Sequence, residues 1–149
     1  MSRPRRIPNW LPWQKRTIYL ITFCIESRKP VLANAQAWDI CRAVFEKLDK
    51  WTILSAIAMP DHLHILAAPA SRDACISDFS KWLKRWFNEA YRTSNRRSPL
   101  PEGAAKDWRW QEGCFESLSE KWEYLRQNPV RAGLVEHAED WPYHFEFNA

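Results

Sequence analysis

The sequence predicts an α+β fold, a ferredoxin-like sandwich with a central antiparallel sheet and packed helices. The first observation is a β-branched and aromatic run over residues 18–25, bounded by a polar segment, which indicates a central strand. The second is an amphipathic helix pattern over residues 35–50, and the third is a pair of apolar runs joined by the turn Pro60-Asp61. Strand, helix, strand, strand is the order in which a ferredoxin-like sandwich begins.

The rest of the chain predicts two more helices, a short strand and a tail. Residues 76–92 have the clearest helical pattern, with an apolar face that we expect in the core. That face consists of Phe79, Trp82, Leu83, Trp86, Ala90 and Tyr91, and the opposite face carries Lys81, Lys84, Arg85 and Arg92. The basic face is either solvated surface or a surface for nucleic-acid phosphates. Residues 108–111 predict a short strand, and the aromatic residues after Glu136 are expected to dock on the core.

The composition is that of one ordinary globular domain, since 46% of the 149 residues are hydrophobic and only three are glycine. We assign residues 17–149 to this domain. Residues 1–16 form a basic N-terminal arm without an acidic residue, in which the cations are Arg3, Arg5, Arg6, Lys15 and Arg16. Such an arm suits a phosphate backbone and stacked bases, and it is equally typical of a solvated tail. The net charge of +4 attracts polyanions only modestly.

The four cysteines are widely separated and include no Cys-x-x-Cys pair; they are Cys24, Cys41, Cys75 and Cys114. They therefore predict reduced core thiols and neither a disulfide framework nor a zinc knuckle. No segment approaches the roughly 20 apolar residues that cross a bilayer, and no apolar signal core follows the N-terminal arginines. We expect a cytoplasmic protein without a membrane partner.

The stretch Met59-Pro60-Asp61-His62-Leu63-His64 places two histidines on one face of a strand, because successive side chains of a strand alternate between faces. Two imidazoles side by side can chelate a metal ion, although such pairs also occur as satisfied residues at the end of a core strand. Asp61 either orients an imidazole or only shapes the turn.

A late helix is predicted where apolar residues recur at the spacing of a buried stripe. These residues are Leu118, Trp122 and Leu125. Tyr124 lies just off the stripe, beside Lys121 and, one turn later, Asn128. The Asn128 amide is either a metal ligand on the same helix or a helix cap, since a proline follows it. Taken alone, Tyr124 is also explained as a half-buried edge of the core, and Lys121 as a solvated lysine.

These two motifs, a Met-Pro-Asp-His-Leu-His strand and the sequence Tyr-x-x-x-Asn-Pro-Val-Arg-Ala-Gly-Leu-Val from Tyr124, resemble the IS200-like, REP-associated tyrosine transposases. The resemblance to these single-tyrosine HUH transposases runs from about residue 17 to residue 143. It implies an HUH endonuclease-type fold, Tyr124 as the nucleophile, and His62, His64 and Asn128 as ligands of Mg²⁺ or Mn²⁺.

The resemblance also implies what the protein acts on. The substrate is single-stranded or hairpin DNA, which is cleaved and rejoined through a 5′-phosphotyrosine intermediate during DNA transposition and recombination, and the protein is a homodimer. Phosphate contacts are expected from the N-terminal arm and from Lys81, Lys84, Arg85 and Lys121.

Two alternatives stay open. The segment from Gln111 to Lys121 is shorter than in the transposases that the chain resembles, which favours a catalytically inactive hairpin DNA-binding protein. A zinc-dependent hydrolase built on the two histidines would need another histidine or a carboxylate at helical ligand spacing. The remaining histidines, His137 and His144, are expected on the surface.

Overall fold

The computed structural model describes residues 18–25, 28–71, 73–94, 107–113 and 115–146. The N-terminal arm, with its five cations, lies outside the described residues. The elements in chain order are β1 (Ile18–Cys24), α1 (Ala35–Lys47), β2 (Trp51–Ala58), β3 (His62–Pro69), α2 (Ile76–Ser94), β4 (Asp107–Gly113), α3 (Phe115–Arg126), α4 (Asn128–Arg131), a 3-10 helix (Ala138–Asp140) and β5 (His144–Glu146). All helices and strands that the sequence predicts are present, with boundaries that shift by a few residues.

The predicted ferredoxin-like sandwich is confirmed by the strand order. The sheet runs β4-β1-β3-β2-β5, and every neighbouring pair is antiparallel. Helix α1 connects β1 to β2 and α2 connects β3 to β4, so each helix crosses over one intervening strand. Two interlocked crossovers of this kind define the ferredoxin-like arrangement.

Two apolar cores lie on opposite faces of the sheet. One packs α1 and α2 on the sheet, and the other packs α3 on the opposite face. On β3, Leu63 and Ile65 belong to the first core and Leu66 belongs to the second. His62 and His64 alternate with Leu63 and Ile65, so both histidines lie on the face that α3 covers.

The apolar face of α2 differs from the predicted one. Its buried residues are Phe79, Leu83 and Phe87, whereas Trp82 is 36% exposed. Residues four apart form a single row along a helix, and the row that begins at Phe79 faces the sheet. Trp82 and Trp86 form a second row on the flank, where their ring centroids lie 5.2 Å apart. The prediction was therefore wrong in placing Trp82 in the core and in omitting Phe87.

The segment after the 3-10 helix forms an edge strand, β5, which the sequence analysis did not predict. Trp141 is buried, and its indole N–H donates to a backbone carbonyl of β2 at 2.9 Å, as expected for docking. Phe145, in contrast, is exposed, and Phe147 lies outside the described residues. Glu146 forms an ion pair with Arg126 of α3, with 2.9 Å between Oε1 and Nε. The tail therefore joins the sheet and also contacts α3.

The cysteines follow the prediction only in part. Cys24 and Cys41 are buried free thiols, and burial raises the pKa of Cys41 to about 12. Cys75 is exposed, because it precedes α2 at the surface, so its assignment to the core was wrong. Cys114 lies outside the described residues. Among the described residues, no helix combines the length and the apolar character that a membrane span requires.

Candidate functional site

The two histidines form the centre of the candidate site. Their ring centroids are 4.8 Å apart, with the ring planes nearly perpendicular, because positions two apart on a strand project from the same face. His64 is 9% exposed and His62 is slightly more accessible. Within the described parts of the chain, no group of three or more His, Cys, Asp or Glu side chains could hold a metal ion. The protein therefore offers a pair of imidazoles here and no complete cluster of such ligands.

Asp61 fixes the tautomer of His62. Its Oδ1 lies 2.7 Å from Nδ1 of His62, and its Oδ2 accepts from Nε of Arg28 at 2.8 Å. Partial burial would raise the pKa of the Asp61 carboxyl, but the hydrogen bonds from His62 and Arg28 outweigh it and hold the pKa below its ordinary value. A carboxylate only accepts, so Nδ1 of His62 must carry the proton. In the neutral ring, Nε2 then keeps its lone pair for a cation.

His64 is a neutral imidazole at physiological pH. Burial is the main cause that lowers its pKa to about 3, and the nearby His62, Arg28 and Lys121 add to the effect. Its Nδ1 lies 2.8 Å from the hydroxyl oxygen of Thr22 on the neighbouring strand. The sequence left two roles open for Asp61, orientation of an imidazole or shaping of the turn. Its contact with Nδ1 of His62 supports orientation of the imidazole.

Helix α3 covers the same face of the sheet as the histidines. Leu118, Trp122 and Leu125 are buried against it, as the spacing predicts. Lys121 lies close enough for its charge to act on His64. Tyr124, one turn further along the same side of the helix, is 64% exposed. The half-buried position considered for Tyr124 is therefore wrong, and its phenol is accessible from solvent.

Asn128 does not continue the tyrosine helix. Helix α3 ends at Arg126, and the N–H of Gln127 bonds to the Tyr124 carbonyl at 3.2 Å. Asn128 begins the separate helix α4, because Pro129 has no N–H to donate to a carbonyl four residues earlier. The expectation that Tyr124 and Asn128 share one helix was wrong. The alternative of a left-handed cap at the end of the tyrosine helix is not supported either, since Arg28 is the non-glycine residue with positive φ among the described residues.

Arg131, to which the sequence analysis gave no role, connects Tyr124 and Asn128. Its guanidinium carbon lies 3.8 Å from the centroid of the Tyr124 ring, and Nη2 donates to Oδ1 of Asn128. The amide oxygen that was predicted as a metal ligand therefore has a protein partner in this structure. The spacing of three residues between Asn128 and Arg131 is the signal that could have suggested the contact.

The remaining cationic candidates lie apart from the histidines. Lys81, Lys84 and Arg85 belong to α2, which packs on the opposite face of the sheet. Lys81 and Arg85 lie over the Trp82 ring, at 5.7 and 5.3 Å from its centroid. Of the predicted phosphate contacts in the described residues, the structure brings only Lys121 to the histidine face.

The other histidines do not extend the pair. His137 is exposed beside the 3-10 helix. His144 lies on β5, two strands from His64 in the same row of the sheet, or about 9.5 Å away in strand spacings. Its Nδ1 contacts the Trp141 carbonyl. The described residues therefore give no support to the hydrolase alternative.

Two of the solved structures that are similar to this chain are transposases. One is a REP-associated tyrosine transposase bound to a REP hairpin, with 18% identity and a TM-score of 0.66 over 97% of this chain and 82% of that one. The other is a candidate transposase from Deinococcus radiodurans R1, with 18% identity and a TM-score of 0.57 over 83% of this chain and 96% of that one. No family model and no curated protein matches the sequence. At this level of identity, the two similarities establish the fold.

Proposed function

Because this chain has the fold of two transposase structures, we propose that it is a metal-dependent transposase that cleaves and rejoins single-stranded DNA at hairpin-forming repeats. The observation that supports the proposal is that α3, the helix that carries Tyr124, packs on the face of the sheet that holds His62 and His64. Tyr124 is exposed to an incoming strand, and Lys121, three residues earlier on α3, lies close enough for its charge to act on His64. A tyrosine, a lysine and two imidazoles, the groups that the proposed chemistry needs, thus lie on the same side of the sheet.

The reaction assigned to Tyr124 is a phosphoryl transfer. The phenol loses its proton to solvent, and its oxygen attacks the phosphorus of one phosphodiester. The bond from phosphorus to the 3′ oxygen breaks, and that oxygen takes up a proton and leaves as a 3′-hydroxyl. The 5′ phosphate stays joined to Tyr124, and attack by a 3′-hydroxyl later rejoins the strand and releases the tyrosine.

The histidine pair fits a divalent ion such as Mg²⁺ or Mn²⁺, since both rings are held on one face and Asp61 leaves Nε2 of His62 free. Asn128 can join them as a ligand through Oδ1, an oxygen that also accepts a hydrogen bond from the cationic Arg131. When bound, such an ion draws negative charge from the scissile phosphate and so favours attack by a phenol.

The DNA that we propose as substrate contains a hairpin and a single-stranded flank, as one of the similar structures is bound to a REP hairpin. Lys121 contacts phosphates near the cleaved bond. Lys81, Lys84 and Arg85 face away from the histidines, so they contact only DNA that extends beyond the site. The homodimer stays a prediction. Sedimentation of the protein with and without DNA measures its oligomeric state.

A covalent-adduct assay tests the proposal. The wild-type protein is incubated with hairpin DNA carrying a labelled flank and Mn²⁺, and denaturing gels detect a DNA–protein adduct. We expect an adduct that disappears with EDTA and with Tyr124→Phe. Tyr91→Phe on α2 is the control, because that tyrosine lies on the opposite side of the sheet. Absence of the adduct from the wild type across a panel of hairpins, or its persistence in Tyr124→Phe, contradicts the assignment.

A second candidate function is hairpin DNA binding without cleavage. The bond from Arg131 to Asn128 favours it, because it places a positive charge on the amide oxygen that was predicted as the third metal ligand. Under this alternative, the protein binds hairpins with a strong salt dependence and forms no adduct. Binding that survives Tyr124→Phe fits both candidates, so strand cleavage by the wild type decides between them.

A further inference from the structure

Arg28 has an unusual backbone conformation next to the histidine pair. Its φ is +55°, and it is the one non-glycine residue with positive φ among the described parts of the chain. Residues that carry a Cβ rarely adopt this left-handed conformation. Those that do are found where surrounding contacts hold the backbone in it. The backbone N–H of Arg28 bonds to the Ile25 carbonyl at 2.9 Å, so the backbone of Arg28 is tied to the residue that follows β1.

The Arg28 side chain reaches back to the end of β1 and to the residue before β3. Nη1 contacts Sγ of Cys24 at 3.0 Å, and Cys24 is the residue that pairs with His62 across the two strands. Nε donates to Oδ2 of Asp61 at 2.8 Å. The guanidinium is therefore held at two points beside His62.

The two oxygens of Asp61 serve two partners at once. Oδ2 accepts from Arg28, which sets the plane of the carboxylate, and Oδ1 lies 2.7 Å from Nδ1 of His62. The backbone of Asp61 is fixed separately, since its carbonyl accepts the Ile25 N–H at 2.9 Å. With the backbone held, the orientation of the carboxylate depends on the side-chain torsions that the Arg28 contact restricts.

We propose that Arg28 is a positioning residue that acts through Asp61 to hold His62 as the Nδ1-protonated tautomer, with Nε2 directed to a cation. The part of this inference that concerns the cation rests on the proposed function. The part that concerns the tautomer of His62 does not. Its competitor is a simple surface ion pair, since the Arg28 side chain is 54% exposed and exposed pairs contribute little. The left-handed backbone and the contact with Cys24 distinguish Arg28 from such a pair.

Arg28→Gly is the informative variant, because glycine adopts positive φ without a penalty and so removes the guanidinium while relieving the backbone. We expect a thermal midpoint equal to or above that of the wild type. In metal-free protein, ¹⁵N chemical shifts of His62 should move from the Nδ1-protonated tautomer toward a mixture. The Mn²⁺ dissociation constant should rise about threefold to tenfold, less than for direct loss of a carboxylate partner.

Two further variants complete the test. Arg28→Lys keeps the charge and should restore the wild-type tautomer only in part, since it loses the planar fork. Lys29→Ala removes an exposed charge at the next position and should change neither readout. A folded Arg28→Gly protein with the wild-type tautomer overturns the proposal. If the wild type binds no Mn²⁺, the proposed function fails, and the tautomer measurement still decides the role of Arg28.

Discussion

Replacement of Asp61 by asparagine removes one charge from the candidate site while keeping the size of the side chain. The carboxylate serves Nδ1 of His62 at 2.7 Å and Nε of Arg28 at 2.8 Å with separate oxygens. Asparagine has one acceptor oxygen, so only one of these donors keeps its partner. The NH₂ group of the asparagine then faces the other donor, so a hydrogen bond is replaced by repulsion between two N–H groups.

The size of the effect follows from the exposure of each contact. A sheltered hydrogen bond to a charged group contributes about 1.5–3 kcal/mol, and the contact with mostly buried His62 belongs to this class. The Arg28 pair is largely exposed and contributes about 0–1 kcal/mol. We therefore expect Asp61→Asn to lower the free energy of unfolding by about 1–3 kcal/mol at pH 7. Because His62 loses its fixed tautomer, Mn²⁺ affinity should fall about 10–100-fold.

The same reasoning fixes the pH dependence. The folded state holds the pKa of Asp61 below its ordinary value, so the ionised carboxylate stabilises the fold above the unfolded pKa of about 3.9. That stabilisation is lost as the pH falls through the lower, folded pKa. The difference in stability between the wild type and Asp61→Asn should therefore be present at pH 5–7 and should shrink below about pH 4.

Urea denaturation at several pH values and calorimetric titration with Mn²⁺ measure both quantities. Asp73→Asn is a matched control, because Asp73 is an exposed carboxylate that pairs with Lys50 at 2.7 Å, away from the histidines. It should leave Mn²⁺ affinity unchanged. An Asp61→Asn protein that binds Mn²⁺ as tightly as the wild type would refute the idea that the carboxylate orients a ligand.

Three further predictions concern other parts of the structure. Burial lowers the pKa of His64 to about 3, so the free energy of unfolding should fall as the pH drops below about 6.5, by at most about 1.4 kcal/mol per pH unit for this proton. Urea titrations of His64→Gln should show a smaller slope of this free energy against pH. Arg131→Met frees the Asn128 amide and should raise Mn²⁺ affinity without DNA by up to about tenfold, whereas no increase in calorimetry would exclude Asn128 as a ligand. Phe79→Ala should cost about 3–5 kcal/mol and Trp82→Ala about 1 kcal/mol or less in urea unfolding, and equal costs would contradict the orientation of α2.

The sequence was most informative where one local period decides the answer. The alternation of His62 and His64 with Leu63 placed both histidines on one face, and the strand order agreed with the predicted fold. Leu118, Trp122 and Leu125 likewise gave the buried side of α3. In each case, a repeat of two or of three to four residues carries the information, and tertiary contacts only confirm it.

The errors arise where local patterns compete. On α2, two rows of residues spaced four apart are both apolar. Only packing on the sheet decides that the row of Phe79 is covered and the row of Trp82 is not. The strand β5 has three residues, too few for a pattern of alternation. Arg28 was not identified because its partner Asp61 lies 33 residues away, a separation that no local pattern includes.

The contact between the last strand and α3 has a consequence for how the candidate site is supported. Nε of Arg126 and Oε1 of Glu146 lie 2.9 Å apart and form an ion pair, although the geometry of the contact is not that of a hydrogen bond. Arg126 stands two positions beyond Tyr124, at the end of the helix where the phenol projects. Residues 141–146 thus pack against the helix that carries Tyr124, so we expect their substitution to shift the phenol even though none of them belongs to the candidate site.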